Sequence, residues 1–252
     1  TCFLIISGGI GFLVMVDVVK CRFRFRKFTL HSKVVVTTTA FLLAAGALLL
    51  KFTDPLSWLT AFFLSVSART AGFATLDLGK LSNAGLFTIL ILMFIGASPG
   101  STGGGIKISR IIIMCKTAKQ DLMRVLHPHA VTTVRFEGKP LDDKTVFGVR
   151  TYMNLYLIIF VLSTMVVAIN QFDLVTTFTA VASCLNNIGP GLELVGPMVS
   201  FADFSPLIKL VLSFDMLVGR LEIFPMLVLF APSTWLRSKG HLDRRLRARN
   251  LF

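Results

Sequence analysis

At 252 residues, 54% hydrophobic and 15% charged, with a mean hydropathy of +0.76, the chain is far from a soluble domain, which carries about 25% charged residues. A net charge of +13 would suggest nucleic acid as the partner of a soluble protein, but here the charge is gathered into clusters that flank apolar runs, so a lipid bilayer is expected and nucleic acid is not. Cys2, Cys21, Cys115 and Cys184 are scattered, with neither metal nor disulfide spacing.

Thr1 opens inside an apolar run without a starting Met, so the sequence is expected to be part of a longer chain. Residues 2–19 form the first apolar run, long enough to cross a hydrocarbon core about 30 Å thick. Lys20-Cys-Arg-Phe-Arg-Phe-Arg-Lys27 follows, a basic flank with snorkelling arginines. Residues 34–50 are the second span. Asp54 as N-cap and Pro55 at the first helical position are expected to open a short helix over 56–68. Thirteen residues cannot cross a bilayer and fit a re-entrant segment. Residues 81–95 form the third span, which runs into Ser98, Pro99, Gly100, Ser101, Thr102, Gly103, Gly104 and Gly105.

That stretch stands out. Each interior glycine costs a helix roughly 1 kcal/mol and a proline roughly 3, so the helix must break, and it resumes at Ile106 as an increasingly basic run to Arg124. Non-helical backbone at membrane depth is tolerated only where protein buries it or it lines a cavity. The stretch is expected to be a gate or part of a pathway. A phosphate-binding loop is the rival reading, but Ile106 intrudes before Lys107 and no strand precedes it.

Residues 127–150 form a polar loop that contains His127 and His129, and a metal site there is not expected. Residues 152–169 form the next span. Asp173 opens another short segment, 174–185, and a long final helix is expected from Ser205-Pro206 to about Leu236, followed by a basic tail. Lysines and arginines number six in 20–33, nine in 107–150 and six in 237–249, out of 26 in all. All three clusters are expected in the cytoplasm. Each interval between them offers two spans and one short segment, so the parity holds only if the short segments dip in and return.

The interval repeats at a shift of 117 residues, which lays Gly72 on Gly189 and Ser67 on Cys184. The fold class expected is all-α and integral to the membrane, built of helix–re-entrant pore helix–filter loop–helix repeats. Residues 1–30 would be the last helix of a preceding repeat with its basic loop. Residues 31–127 would be the third repeat with its gate at 98–105, 128–150 a cytoplasmic loop, and 151–252 the fourth repeat with its tail. Re-entrant helices aim their partly negative C-termini at the axis. The glycine turns after them could present carbonyls that replace the hydration shell of K⁺. Thr70, Ala71, Gly72 and Phe73 would supply one quarter of such a filter, and Asn187, Ile188, Gly189 and Pro190 another. The bland alternative is two irregular loops between helices.

Arg220 is a lone cation deep in a span, and the repeat shift sets it at the depth of the glycine stretch. It is expected either to latch the loop through its carbonyls or to snorkel to the interface.

Five stretches together resemble the Trk/Ktr/HKT superfamily of potassium uptake proteins. They are Ser67-Ala-Arg-Thr-Ala-Gly-Phe73, Ser101-Thr-Gly-Gly-Gly-Ile-Lys107, Leu126-His-Pro-His-Ala-Val131, Asn186-Asn-Ile-Gly-Pro-Gly-Leu192 and Gly219-Arg-Leu-Glu-Ile-Phe224. The third points to the Trk type. The resemblance covers essentially the whole chain and implies the C-terminal half of a four-repeat pore. It further implies a homodimer in the bacterial cytoplasmic membrane, a cytosolic nucleotide-binding regulatory ring as partner, transport or symport of K⁺, and no cofactor. Lys209 matches a basic position near the fourth filter segment. Asp215 departs from the pattern, where an amide is expected, and would alter the charge of the lower pore. K⁺ at the filter is the one metal ion implied. The function expected is potassium uptake and not an enzymatic reaction. A membrane-embedded catalytic or scaffold subunit is the alternative.

Overall fold

A computed structural model of the chain describes residues 1–22, 24–127, 135–136 and 139–230. Long apolar runs become helices because no water competes for their backbone groups. In chain order the helices are α1 (Cys2–Ile10), α2 (Phe12–Lys20), α3 (Leu30–Thr53), α4 (Trp58–Ser67), α5 (Asn83–Phe94) and α6 (Ile108–Leu126). After these come α7 (Asp143–Val167), α8 (Leu174–Leu185), α9 (Pro206–Leu221) and α10 (Ile223–Phe230). Between α6 and α7 lies a small antiparallel ladder, β1 (Arg135–Phe136) and β2 (Lys139–Pro140), pairing Arg135 with Pro140 and Phe136 with Lys139. The fold is therefore helical but not wholly so. Residues 128–134, 137–138 and 231–252, with the basic tail at 237–249 and the end of the long final helix expected to reach Leu236, lie outside the described residues.

Leu30–Thr53 and Asp143–Asn170 are long and apolar enough to cross a membrane. The helices that follow them, α4 and α8, have 10 and 12 residues, too short to do so. Each is started by a side chain that accepts a free backbone N–H: Ser57 Oγ from Thr60 at 3.2 Å and Asp173 Oδ2 from Thr176 at 3.0 Å.

Asp54 is thus not the cap of α4. It is buried and reaches across to the start of α5, where Oδ1 accepts the Ser82 N–H at 2.7 Å. Its Oδ2 accepts the hydroxyls of Ser82 at 3.1 Å and Thr53 at 3.0 Å. A Cβ on Gly85 would collide with that same oxygen, so the first turn of α5 has room only for glycine. A carboxylate at a helix N-terminus also meets the positive end of its dipole.

Two expected spans are broken. Residues 2–19 do not form one helix: Gly11, at φ 93°, separates α1 from α2, and the two halves meet at 94°. The helix from Ser205 also ends early, at Glu222 with φ 68°. Pro225 explains it, because it lacks the N–H that would bond Leu221 and its ring crowds that carbonyl.

Two apolar cores result. One gathers Tyr156, Phe160, Val181, Leu185, Leu212 and Val218 among α7, α8 and α9, and includes Ile106 from before α6. The other gathers Leu50, Leu64, Ile89 and Leu92 among α3, α4 and α5, and includes Ile188 and Leu192 from after α8. Each core therefore takes in residues from the other unit.

The two acidic starts differ in burial, and this yields a test. Asp54→Ala strands the Ser82 N–H and is expected to cost about 2–3 kcal/mol, whereas Asp173→Ala removes an exposed cap worth about 1. The thermal unfolding midpoint in detergent is expected to fall further for Asp54→Ala. Equal shifts would show that Asp54 is not structurally engaged.

Candidate functional site

The turns after α4 and α8 share one unusual backbone pattern. After α4, the N–H groups of Ala71 and Gly72 both donate to Ser67 O, at 3.1 and 3.0 Å, and the Ser67 hydroxyl donates to Phe73 O. Thr70 and Gly72 have φ of 65° and 72°. After α8, Ile188 N–H donates to Ser183 O at 3.0 Å, and the Ser183 hydroxyl donates to Gly189 O at 2.6 Å. Asn187 and Gly189 have φ of 56° and 109°. Positive φ thus recurs at i and i+2 with the expected shift of 117. A chain that alternates the sign of φ can bring successive carbonyls round to one side.

The anchoring hydroxyls correspond differently. Ser67 and Ser183 do the same work, each bonding the carbonyl six residues on, so the positive-φ pair stands one residue further from its anchor in the second turn, and Cys184 is not the counterpart of Ser67. Nor did sequence reasoning foresee positive φ at Thr70 and Asn187, where a side chain makes that conformation uncommon.

The two turns lie against each other. A Cβ on Gly72 would collide with Ile188 O and sit 2.7 Å from Pro190 Cδ. Beside them is a cavity of about 550 Å³ lined by Gly72, Phe73, Gly189, Pro190, Lys209 and Met216, among others. Lys209 is exposed and its Nζ donates to Ala202 O at 2.7 Å. The C-terminal ends of α4 and α8, each with roughly half a negative charge, run into these turns.

The glycine stretch leaves its helix and closes on itself. Ile95 and Ile106 form a parallel bridge, with Gly96 N–H donating to Ile106 O at 2.6 Å and Ile108 N–H to Ala97 O at 3.2 Å. One side of the loop lies against both turns. A Cβ on Gly103 would fall 2.5 Å from Thr70 Oγ1, and one on Gly104 would fall 2.6 Å from Asn186 O and 2.8 Å from Asn187 Cβ. Gly105, at φ 69°, is 2.9 Å by the same measure from Asn186 Oδ1. Asn186 is fully buried, accepts from Tyr156 Oη at 2.9 Å and donates to Ala182 O at 2.7 Å. The loop fits because its inner residues have no side chains. Ser98, Pro99, Gly100 and Thr102 turn the other way, toward α1 and α2.

The charges are arranged otherwise than expected. Arg220 is exposed, and among the described residues no hydrogen bond joins it to the loop. The cation that reaches the loop is Lys107, buried, with Nζ donating to Gly103 O at 2.8 Å. Arg220, Arg110 and Glu222 are its charged neighbours. Arg110 pairs with Glu222 at 2.5 Å and lies over the Tyr152 ring, 3.8 Å from its centroid. Arg69, 8% exposed, donates to Gly96 O at 3.4 Å. Asp215 is fully buried and accepts from Ser163 of α7 at 2.8 Å. It faces α7 and is not among the residues that line the cavity beside the turns. Lys107 and Arg110 were legible only as members of a basic cluster, and Arg69 only as part of the Ser67–Phe73 stretch.

The family model of the cation transport protein TrkH matches residues 34–239. Over 179 residues the chain is 37% identical to the Trk system potassium uptake protein TrkH of Salmonella typhimurium and equally to that of Escherichia coli, covering 69% of this chain and 36% of each relative. It is 30% identical over 225 residues to the potassium/sodium uptake protein NtpJ of Enterococcus hirae, covering 78% of this chain and 47% of that one. The crystal structure of the potassium transporter TrkH from Vibrio parahaemolyticus superposes with a TM-score of 0.78 at 28% identity, over 93% of this chain and 52% of that one. The chain spans little more than a third of the first two relatives' length.

The two turn glycines separate steric from conformational demand. Nothing lies within 4 Å of a Cβ on Gly189, so Gly189→Ala meets only its φ of 109°, a cost of about 1–2 kcal/mol. Gly72→Ala adds the collision with Ile188 O and is expected to cost about 3 kcal/mol or more. Yields of folded, monodisperse protein and unfolding midpoints are expected to rank Gly72→Ala well below Gly189→Ala. The reverse order would contradict the close contact of the two turns.

Proposed function

The chain belongs to the TrkH family of cation transport proteins, and from that premise we propose that it forms part of a path by which K⁺ enters the cell. The relatives named above are potassium or potassium/sodium uptake proteins, not enzymes. The observation that carries the proposal is the doubled turn. Thr70 with Gly72 and Asn187 with Gly189 repeat one positive-φ pattern at one sequence shift, each after a helix too short to cross the bilayer. In this reading α4 and α8 are re-entrant pore helices, and 70–73 and 187–190 are two quarters of a carbonyl filter. K⁺ sheds water onto backbone oxygens there, favoured by the helix dipoles that end beside them.

The glycine loop at 98–105 is the gate in this reading. It lies across both filter turns, and a side chain at Gly103 or Gly104 would collide with them. Lys209, beside the mouth cavity, adds a positive charge that lowers cation occupancy there. The basic clusters support a cytoplasmic face at 20–33 and 107–127. The same reading takes in the bacterial inner membrane, a homodimer and a cytosolic nucleotide-binding ring as regulator.

The test is selective uptake. The intact protein is expected to rescue growth of a potassium-uptake-deficient bacterium at low external K⁺. Gly189→Ser is expected to insert normally and to lower the K⁺/Na⁺ flux ratio by about tenfold, the equivalent of about 1.4 kcal/mol of lost discrimination. An unchanged ratio, measured per inserted molecule, would remove the filter assignment while leaving family membership intact.

A further inference from the structure

The gate loop has a second face. Its glycines lie under the filter turns, and Ser98 to Thr102 rest on the break between α1 and α2. When Gly11 ends α1, the carbonyls of Gly8, Gly9 and Ile10 lose their helical donors, and no water inside a bilayer replaces them. The loop supplies those donors. Ser98 N–H donates to Gly9 O at 3.0 Å and Ser98 Oγ to Ile10 O. Thr102 donates to Gly8 O from its N–H at 3.4 Å and from Oγ1 at 3.3 Å. In return Phe12 N–H donates to Gly100 O at 3.1 Å.

The fit is close. A Cβ on Gly11 would fall 2.8 Å from Ser98 Oγ and 2.9 Å from Pro99 O, and one on Gly8 would fall 3.1 Å from Thr102 Oγ1. These contacts join residues about ninety positions apart, so they are tertiary and not part of the loop's own turn.

Which contacts hold the loop follows from which would change if it moved. The Gly96–Ile106 neck and the Lys107–Gly103 bond lie within the loop and its own helix, and travel with it. Only contacts that differ between two positions can bias the equilibrium between them. The bonds to the helix break meet that condition. Arg220 makes no bond to the loop and does not.

We infer that the α1–α2 break is the seat that holds the loop in its blocking position, with Ser98 and Thr102 as positioning residues. The inference rests on reading the loop as a gate. It also gives α2 a role. This helix runs from the break to Lys20, where the basic segment begins, and is tied to the start of α3 through Asp17, which accepts from Thr29 N–H at 2.9 Å and Thr29 Oγ1 at 3.0 Å. A push on that segment reaches the seat through two turns of helix.

Gly9 and Ala97 allow a direct test. A Cβ on Gly9 would lie 3.9 Å from Ala97 Cβ, within the roughly 3.5–4.5 Å a disulfide needs. In the intact protein, with Cys2, Cys21, Cys115 and Cys184 replaced by Ser or Ala, Gly9→Cys with Ala97→Cys is oxidised with copper phenanthroline in K⁺-loaded vesicles. The pair is expected to lose both maleimide-reactive thiols, and K⁺ flux is expected to fall by at least about tenfold and to recover with dithiothreitol.

Failure of the thiols to disappear would overturn the seat. Disappearance with unchanged flux would overturn its role in blocking. Vesicles without K⁺ flux in any state would defeat the transport reading instead, and the thiol count would still decide the seat. Conversely, Ser98→Ala with Thr102→Val removes two side-chain hydrogen bonds and is expected to raise flux about ten- to thirtyfold. Ser98→Thr with Thr102→Ser is expected to leave it near the parent value. Equal flux in both pairs would exclude Ser98 and Thr102 as positioning residues.

Discussion

Backbone that leaves a helix inside a bilayer must find other partners for its N–H and C=O groups. This constraint organises the molecule. The long apolar runs are interrupted at Gly11, at the glycine loop and at Glu222, and at each place the structure supplies a specific remedy. The loop and the Gly11 break satisfy one another. The loop's neck closes by a short parallel bridge. At the third break Glu222 takes the ion pair of Arg110, whose guanidinium is further covered by the Tyr152 ring. A lone charge at that depth is costly, and pairing across two interrupted helices offsets the cost while fixing their relative position.

The same economy shows in packing. Ile106 enters the core of the later unit, and Ile188 and Leu192 enter the core of the earlier one. The glycine loop and the turns after α4 and α8 lie against one another beside these exchanged residues. Shifting the loop therefore alters contacts in both halves, and Gly72, Gly103 and Gly104 are among the glycines whose neighbours stand too close for a side chain. Interiors so packed respond as two-state elements more than as soft ones, which suits the loop in its proposed role as a gate.

Much of this was legible beforehand because it rests on local composition. Five glycines and a proline in an apolar run announce broken helix whatever surrounds them, and the short helices before two glycine turns follow from counting. Other readings failed for tertiary reasons. Asp54-Pro55 looks like a local helix start, yet the carboxylate serves Ser82, 28 residues on. Arg220 looks like the natural latch by depth alone, yet Lys107 reaches the loop because it stands at the start of α6, four residues from the carbonyl it bonds. Pro225 and the glycines at 8, 9 and 11 carried the signal for the two missed breaks, but within a hydrophobic run each was compatible with an uninterrupted span.

The sequence by itself determined the membrane character, the two long helices each followed by a short one, the shift of 117 that relates the two turns, and the place of the glycine stretch. These depend on hydrophobic length, helix propensity and charge placement, which act along the chain. The tertiary structure alone decided which hydroxyl anchors each turn, which cation meets the loop, and that the loop rests on the α1–α2 break. The physical reason is that a buried polar group takes whichever partner the packing brings within about 3 Å, and sequence distance does not measure that approach.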